Sequence, residues 1–368
     1  MRKIRDSIAA GRPRPGRTGV FVVKELMLLL VCLVSLCGLG ARSLDWLALE
    51  DVHQLARSRL ARAASVRYVS RISSTQEGAK VWICRPLHSI ALVNLDTGET
   101  EQGLMTENRR LSRVAHNLNG TTSLMVWVDG IVEIYPDGIG SPPATFRLLT
   151  TGESEIDAAV SADGTLALCA LRNGVIQGWL KRESAVEEFH YSLADSPAVC
   201  RASLDPEGAQ LFVAREDGTA GVHQVLSDTL QERALVLSGK CAAATWSADG
   251  QSLLVATQDG KVSLIDSASG RTQWQGILSA PQVPLSLYAD SLAISRDGKW
   301  VAAASSLLRT FDVWQLDSNQ PVRSLAGHDG VIRSLEFSTD CQLVYSGSLD
   351  GTVREWTLAD ASQRRIID

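Results

Sequence analysis

The sequence predicts an all-β fold in which about seven small antiparallel sheets form a ring, preceded by an N-terminal hydrophobic segment and a short amphipathic helix. Three observations support this prediction. Turn residues recur every 42 to 48 residues or so, a second series of hairpin turns keeps the same phase, and no comparable helical period follows Ser65. Because a sheet of four short strands has an apolar face that only a neighbouring sheet can cover, such units must close on one another.

Two series of turns divide the chain into repeating units. The first series follows the first strand of each unit, at Gly78, Gly120, Gly164, Gly208, Gly250, Gly298 and Cys341. The second series marks the hairpin between the next two strands, at Asp129-Gly130, Asn173-Gly174, Asp217-Gly218, Asp259-Gly260 and Asp350-Gly351. Glycine tolerates a positive φ and Asp or Asn favours turns, so these aspartates are interpreted as turn formers and not as a catalytic cluster.

The last unit, Leu325 to Leu358, shows the pattern most completely. Its residues 331–337, 343–346 and 352–356 alternate apolar and polar side chains, which is typical of half-buried strands. This unit resembles a WD40 repeat. Its counterparts of the family's Gly-His pair, strand serine, tight-turn aspartate and tryptophan are Gly327-His328, Ser346, Asp350 and Trp356, while Thr357 replaces the aspartate that usually follows the tryptophan.

The resemblance implies a seven-bladed WD40-type β-propeller over residues 66–368. It also implies that His328, Ser346, Asp350 and Trp356 form a buried structural hydrogen-bond chain, since a satisfied network of this kind selects one strand arrangement. Units one to six lack the Gly-His pair, although Trp179 and Trp314 stand near the expected third-strand position. Two segments could complete the last blade, Ser362 to Ile367 or Leu60 to Val69.

The N-terminal residues suggest export or membrane attachment. Residues 1–25 are rich in Lys and Arg, and the following segment, Leu26 to Leu36, is apolar apart from Cys32 and Ser35. This order predicts that residues 1–41 are a signal peptide or a membrane anchor with a basic N-region, and that the rest lies outside the cytoplasm. The apolar run is shorter than the roughly 20 residues that span a bilayer. The alternative is a cytoplasmic protein whose start is wrongly assigned.

Residues 42–65 are predicted to be a helical connector, because apolar residues recur there at three- and four-residue steps. The formal net charge of −5 and the lack of a basic stripe argue against nucleic-acid binding. The seven cysteines are irregularly spaced and form no C-x-x-C zinc pattern. Cys200 and Cys241 fall in the first strands of adjacent units, so they are either a disulfide pair in an exported protein or two small buried thiols.

No nucleophile elbow, phosphate-binding loop or metal-binding histidine pair occurs in the sequence, so no catalytic, cofactor-binding or metal-binding residue is predicted. Propellers of the family that this chain resembles usually bind partners with the loops that enter each first strand and with the second-to-third-strand hairpins. Transferred to this chain, that rim contains the candidate partner-binding residues His88, Arg109, Arg110, Glu155, Asp195, Lys240 and Asp329.

The charges of these candidates are mixed in sign, which favours a protein or peptide partner over a polyanion. The sequence therefore predicts a monomeric, non-enzymatic propeller that serves as a scaffold for protein–protein interaction. The alternative is a secreted propeller enzyme, or a metal- or small-ligand-binding protein, with its site at the central channel. Three or more convergent His, Asp or Glu side chains at the channel mouth would distinguish the second hypothesis from the first.

Overall fold

The computed structural model describes residues 68–75, 78–85, 89–95, 97–105, 109, 111–117, 121–149, 155–182, 185–193, 197–225, 232–279, 291–305, 309–317 and 323–367. All of them belong to one compact unit, Ser65–Asp368. The predicted segments 1–41 and 42–65 lie outside the described residues. Within the residues described, there is no helix with the length and hydropathy that crossing a membrane requires.

The described residues form four-stranded antiparallel sheets, each built from four consecutive strands and called a blade below. Blade 1 contains β1 (Tyr68–Thr75), β2 (Gly78–Arg85), β3 (Ser89–Asn94) and β4 (Thr100–Met105). Blade 2 contains β5 (Leu111–His116), β6 (Ser123–Trp127), β7 (Ile131–Tyr135) and β8 (Ala144–Arg147). Blade 3 contains β9 (Glu155–Val160), β10 (Leu166–Leu171), β11 (Val175–Arg182) and β12 (Ala185–Ser192).

The second half of the chain repeats the same order. Blade 4 contains β13 (Val199–Leu204), β14 (Gln210–Arg215), β15 (Ala220–Gln224) and β16 (Glu232–Leu235), and blade 5 contains β17 (Cys241–Trp246), β18 (Ser252–Thr257), β19 (Lys261–Asp266) and β20 (Thr272–Ile277). Blade 6 contains β21 (Leu292–Ile294), β22 (Trp300–Ser305), β23 (Thr310–Gln315) and β24 (Arg323–Ala326). Blade 7 contains β25 (Ile332–Phe337), β26 (Leu343–Ser348), β27 (Val353–Thr357) and β28 (Gln363–Ile367).

Four of the turns between first and second strands, in blades 3, 5, 6 and 7, share one construction. Ser161 Oγ donates a hydrogen bond to Asp163 Oδ1 at 2.6 Å, and the same serine-to-aspartate bond recurs in blades 5, 6 and 7. Gly164 then takes a φ of 74°, which favours glycine. Cys341 occupies the equivalent position with a φ of 56°, as expected from its place in the first series of turns.

Apolar clusters fill the space between neighbouring blades. Alternate residues of a strand point to opposite faces of its sheet, so Ala167 packs in the cluster between blades 2 and 3 while Leu168 packs in the cluster between blades 3 and 4. Further clusters join blades 1 and 2, 4 and 5, 5 and 6, and 6 and 7. A seventh cluster joins blade 7 to blade 1, and it closes the ring. The predicted all-β seven-bladed propeller is therefore confirmed.

The closure of the ring resolves the alternative that the sequence left open. The segment Gln363–Ile367 is the outer strand of blade 7, whereas β1 pairs with β2 inside blade 1. No strand is exchanged between the first and last blades among the described residues. Instead, the two blades pack face to face through Val93 and Leu95 of blade 1 and through Tyr345 and Val353 of blade 7. All four side chains are buried, so hydrophobic contact stabilises this junction.

Candidate functional site

The loops that enter the first strands and the hairpins between the second and third strands lie at one end of the ring, which we call the rim face. Backbone hydrogen bonds connect the two kinds of loop. Glu216 N donates to Ala198 O at 2.8 Å and Gln258 N donates to Lys240 O at 2.8 Å. Another bond links adjacent blades, because Val199 N donates to Arg172 O at 2.9 Å. The described rim loops are therefore held by the sheets beneath them.

The structure describes four of the seven predicted rim residues. Lys240 and Asp329 are exposed on loops that lead into β17 and β25. Glu155 begins β9 at the rim end of blade 3. The remaining candidates, His88, Arg110 and Asp195, lie outside the described residues. Arg109 is described, and its side chain is engaged within blade 2.

Arg109 belongs to a network of side chains inside blade 2. Its guanidinium carbon lies 4.1 Å from the centroid of the Trp127 ring, and its Nη1 lies 2.6 Å from Glu133 Oε1. Glu133 Oε2 accepts hydrogen bonds from Trp127 Nε1 at 2.8 Å and from Tyr135 Oη at 3.0 Å. Burial, together with the Glu133 charge, raises the pKa of Tyr135, so its hydroxyl remains a donor. Arg109 thus supports the rim from within and is a weaker candidate for direct partner binding than Lys240.

The four residues of the predicted structural network are joined by hydrogen bonds in blade 7. His328 Nδ1 lies 2.9 Å from Asp350 Oδ2, and His328 Nε2 lies 2.8 Å from Ser346 Oγ. Trp356 Nε1 donates to Ser346 Oγ at 2.8 Å. The side chain of His328 has no solvent exposure, and that of Asp350 is 10% exposed. Every polar atom named here therefore has a partner within the blade.

Asp350 also links this buried network to the rim. Its Oδ2 accepts a hydrogen bond from the backbone N–H of Asp329 at 2.9 Å, which holds the loop that enters β25. Burial by itself raises the pKa of the Asp350 carboxyl, but hydrogen bonds from His328 and Thr352 and attraction to the imidazole hold that pKa well below its usual range. The ionised carboxylate is consequently the form that accepts these bonds at neutral pH.

Two other blades retain the tryptophan of this network without its acceptor. Trp179 and Trp314 pair with the second strands of blades 3 and 6 at the same register at which Trp356 pairs with Val344. The position of Ser346 is taken there by Cys169 and Ala303. The indole N–H groups of Trp179 and Trp314 are buried and have no hydrogen-bond partner among the described residues. The rings of Trp179 and Trp314 contribute packing without this hydrogen bond. Among blades 3, 6 and 7, the hydrogen-bond network is complete only in blade 7.

Exposed apolar side chains concentrate on the rim face. Of the five large hydrophobic side chains exposed among the described residues, four lie at rim loops or at strand ends next to them: Val128, Leu149, Val236 and Ile277. Val236 is 94% exposed. The fifth, Ile366, is the penultimate residue of the outer strand β28 and pairs with Arg354 near the hairpin of blade 7. Sequence reasoning selected charged rim residues and missed these, because one valine in a loop gives no sign of its exposure.

The central channel contains a cavity of about 200 Å³ lined by first strands. Its titratable side chains are His116, Asp157, Asp205 and Glu336. Burial raises the pKa of Asp205. Among the described residues there is no group of three or more His, Cys, Asp or Glu side chains that could hold a metal ion. No observation on this cavity favours a reaction.

Cys200 and Cys241 are free thiols in the structure. Burial raises the pKa of both groups, and the proximity of Cys200 adds to the effect at Cys241. Of the two alternatives, the structure therefore has the pair of thiols and not the disulfide. Protonated thiols are weak nucleophiles, which gives neither cysteine a catalytic character.

Comparison with known proteins agrees with the repeat and the fold. The family model described as "WD domain, G-beta repeat" matches residues 319–357. An uncharacterized WD repeat-containing protein of Synechocystis sp. is 35% identical over 115 residues, which is 31% of this chain and 31% of that protein. The small ribosomal subunit protein RACK1 of Caenorhabditis elegans is 37% identical over 83 residues, covering 20% of this chain and 26% of the relative.

A third relative, the LST8 homolog of Drosophila melanogaster, is 27% identical over 177 residues, which is 46% of this chain and 54% of that protein. The chain thus spans between about a quarter and a half of the length of these three relatives. The crystal structure of the Cps50 (Swd1) β-propeller domain of Myceliophteria thermophila matches with a TM-score of 0.65, 15% identity and coverage of 79% of this chain and 96% of that domain. At this identity the match supports the fold alone.

Proposed function

Because the chain is a seven-bladed β-propeller of the WD40 type, we propose that it is a non-enzymatic scaffold whose rim face binds a protein or peptide partner. The observation that supports this proposal most strongly is the concentration of exposed apolar side chains on that face. Exposed apolar groups that share one face mark a candidate interaction surface, and protein interfaces place apolar contacts at their centre.

The described rim loops of blades 4, 5 and 7 are also held in place. Backbone hydrogen bonds connect the described loops of blades 4 and 5, and Asp350 ties the loop that enters β25 to the core of blade 7. A surface held in one conformation loses little entropy when a partner binds, so more of the contact energy contributes to affinity. Charged groups such as Lys240 and Asp329 are exposed on the same face and would set the orientation of the partner.

The proposal predicts that charges placed on the rim abolish partner binding. Val128→Asp combined with Val236→Asp in the full-length chain is expected to reduce capture of its partner at least tenfold. Both valines are exposed, so the change should leave the melting temperature nearly unaffected. The measurement is quantitative capture from cell extract followed by mass spectrometry, with Lys299→Asp as the matched control, since it makes the same change in net charge at an exposed turn on the opposite face. If the double variant and the control capture the same proteins in equal amounts, the proposal is refuted.

We further propose that residues 1–41 export the propeller or attach it to a membrane. The support is the order of basic residues followed by the apolar segment Leu26 to Leu36. A reporter fused after Ser65 is expected in the extracytoplasmic or membrane fraction when residues 1–41 are present, and in the cytoplasmic fraction when they are removed. Equal cytoplasmic recovery of both fusions would instead support a wrongly assigned start.

A further inference from the structure

A pocket of about 430 Å³ opens on the rim face between blades 3, 4 and 5, and its lining is mainly cationic. The charged side chains that line it are Arg172, Arg201, Arg215, Lys240 and Glu216. The excess of positive charge remains when Glu232, which pairs with Arg215, is included. This is unusual in a chain whose formal net charge is −5.

Each cation is carried by a different part of the rigid rim. Arg172 lies in the hairpin between β10 and β11, and its carbonyl is bonded to the first strand of blade 4. Arg215 ends β14, and Lys240 directly precedes β17. The carbonyl of Lys240 accepts a bond from Gln258 N. The pocket is therefore preformed by the fold, and a ligand would not have to assemble it.

Two of the cations, Arg215 and Lys240, retain binding capacity. The Arg215 side chain is only 6% exposed, and it holds Glu232 with Nη1 and Nη2 at 2.8 and 3.2 Å. Its Nε is buried and has no acceptor among the described residues, which leaves one donor of a buried charge unused. Lys240 is exposed and forms no ion pair with any residue that the structure describes.

Of the other charged side chains of the pocket, Glu216 is paired with Arg172, and Arg201 donates hydrogen bonds to the backbone carbonyls of Ala242 and Cys200. Arg172 and Glu216 form an ion pair in which both side chains are about half exposed, at 49% and 46%. Such solvated pairs are weak, so an incoming anion can compete for Arg172. Burial raises the pKa of the Cys200 and Cys241 thiols, which keeps them protonated and uncharged.

We propose that this pocket binds the oxyanion group of an acidic or phosphorylated side chain presented by a peptide segment of the partner. The inference rests on the proposed function of the rim face and specifies the chemistry that this face recognises. Guanidinium groups match carboxylate and phosphate oxygens in geometry, and a lysine adds a compact charge. Val236 is an exposed apolar side chain on the loop that leads to Lys240, and it could contact the rest of such a segment.

The test uses three fluorescent peptide pools that differ only at a fixed central position, which is phosphoserine, glutamate or glutamine. Binding to the full-length chain is measured by fluorescence anisotropy. We expect the phosphoserine pool, the glutamate pool or both to bind at least tenfold more tightly than the glutamine pool, and the pool that binds better identifies the oxyanion. This preference should weaken as salt is added, because exposed charges are screened.

Lys240→Glu is expected to reduce binding of the acidic pools at least tenfold. Lys299→Glu is the matched control, since Lys299 is an exposed lysine in a first-to-second-strand turn on the opposite face.

The pocket assignment is overturned if the acidic pools bind no better than the glutamine pool, or if Lys240→Glu binds like the unmodified chain. Loss of partner capture in the Val128 and Val236 variant, with no acidic preference, would refute the pocket and retain the rim function. Capture unaffected by that variant would refute the rim function itself.

Discussion

Replacing Trp356 with alanine is expected to lower the free energy of unfolding by about 3–5 kcal/mol, the usual cost of removing a large buried aromatic side chain. The Trp356 side chain is 3% exposed and lies in the cluster between blades 6 and 7. It makes an edge contact with Phe311, with ring centroids 5.6 Å apart, and donates the hydrogen bond that completes the Ser346 network. Chemical denaturation of the full-length chain followed by circular dichroism measures the change.

A more conservative pair of substitutions separates packing from hydrogen bonding. Trp356→Phe removes an indole N–H that has an acceptor, whereas Trp179→Phe removes one that has none among the described residues. Both rings are buried and sit at the same register of their blades. We therefore expect Trp356→Phe to cost about 1–2 kcal/mol more, since it breaks a bond and leaves Ser346 without its donor. Equal costs would contradict the stabilising role assigned to the network.

The sequence predicted those parts of the fold that depend on local chemistry. The turn at Gly164 needs only a residue that accepts a positive φ and a nearby aspartate. Both residues occur next to each other in the sequence. The same holds for the last repeat, in which all four network residues lie within a single blade. The turns repeat with the period of the chain, so one clear copy of a turn locates the others.

Features that depend on contacts between several strands or blades could not be predicted from the sequence. The sequence predicts Arg109 as a partner-binding rim residue, but its environment in the structure depends on Trp127 of β6 and Glu133 of β7, which the sequence does not bring to it. The cationic pocket combines residues of three blades. The number of residues that separate them in the sequence does not indicate how close they lie in the fold. The closing strand had two candidates with similar patterns, and only the pairing of β28 with β27 selects between them.

The junction between the first and last blades carries the second large expected effect. Val353→Asp is expected to lower the free energy of unfolding by about 3–5 kcal/mol, because it leaves a buried charge without a partner. Val353 is 1% exposed and packs with Val93, Leu95 and Tyr345. Ile366→Asp is the matched control, since Ile366 lies on the neighbouring strand but is 45% exposed. Denaturation midpoints of the two variants give the comparison, and similar values would show that Val353 is not buried at a junction.

The rim face exists as one surface only if the ring closes through this junction. Hydrogen exchange followed by mass spectrometry tests the closure directly, using Val353→Ala, which opens a cavity but should leave the chain folded. Closure predicts faster exchange than in the unmodified chain both in β27, where the substitution lies, and in β3, more than 250 residues earlier in the sequence. Faster exchange in β27 with unchanged protection in β3 would contradict a closed ring.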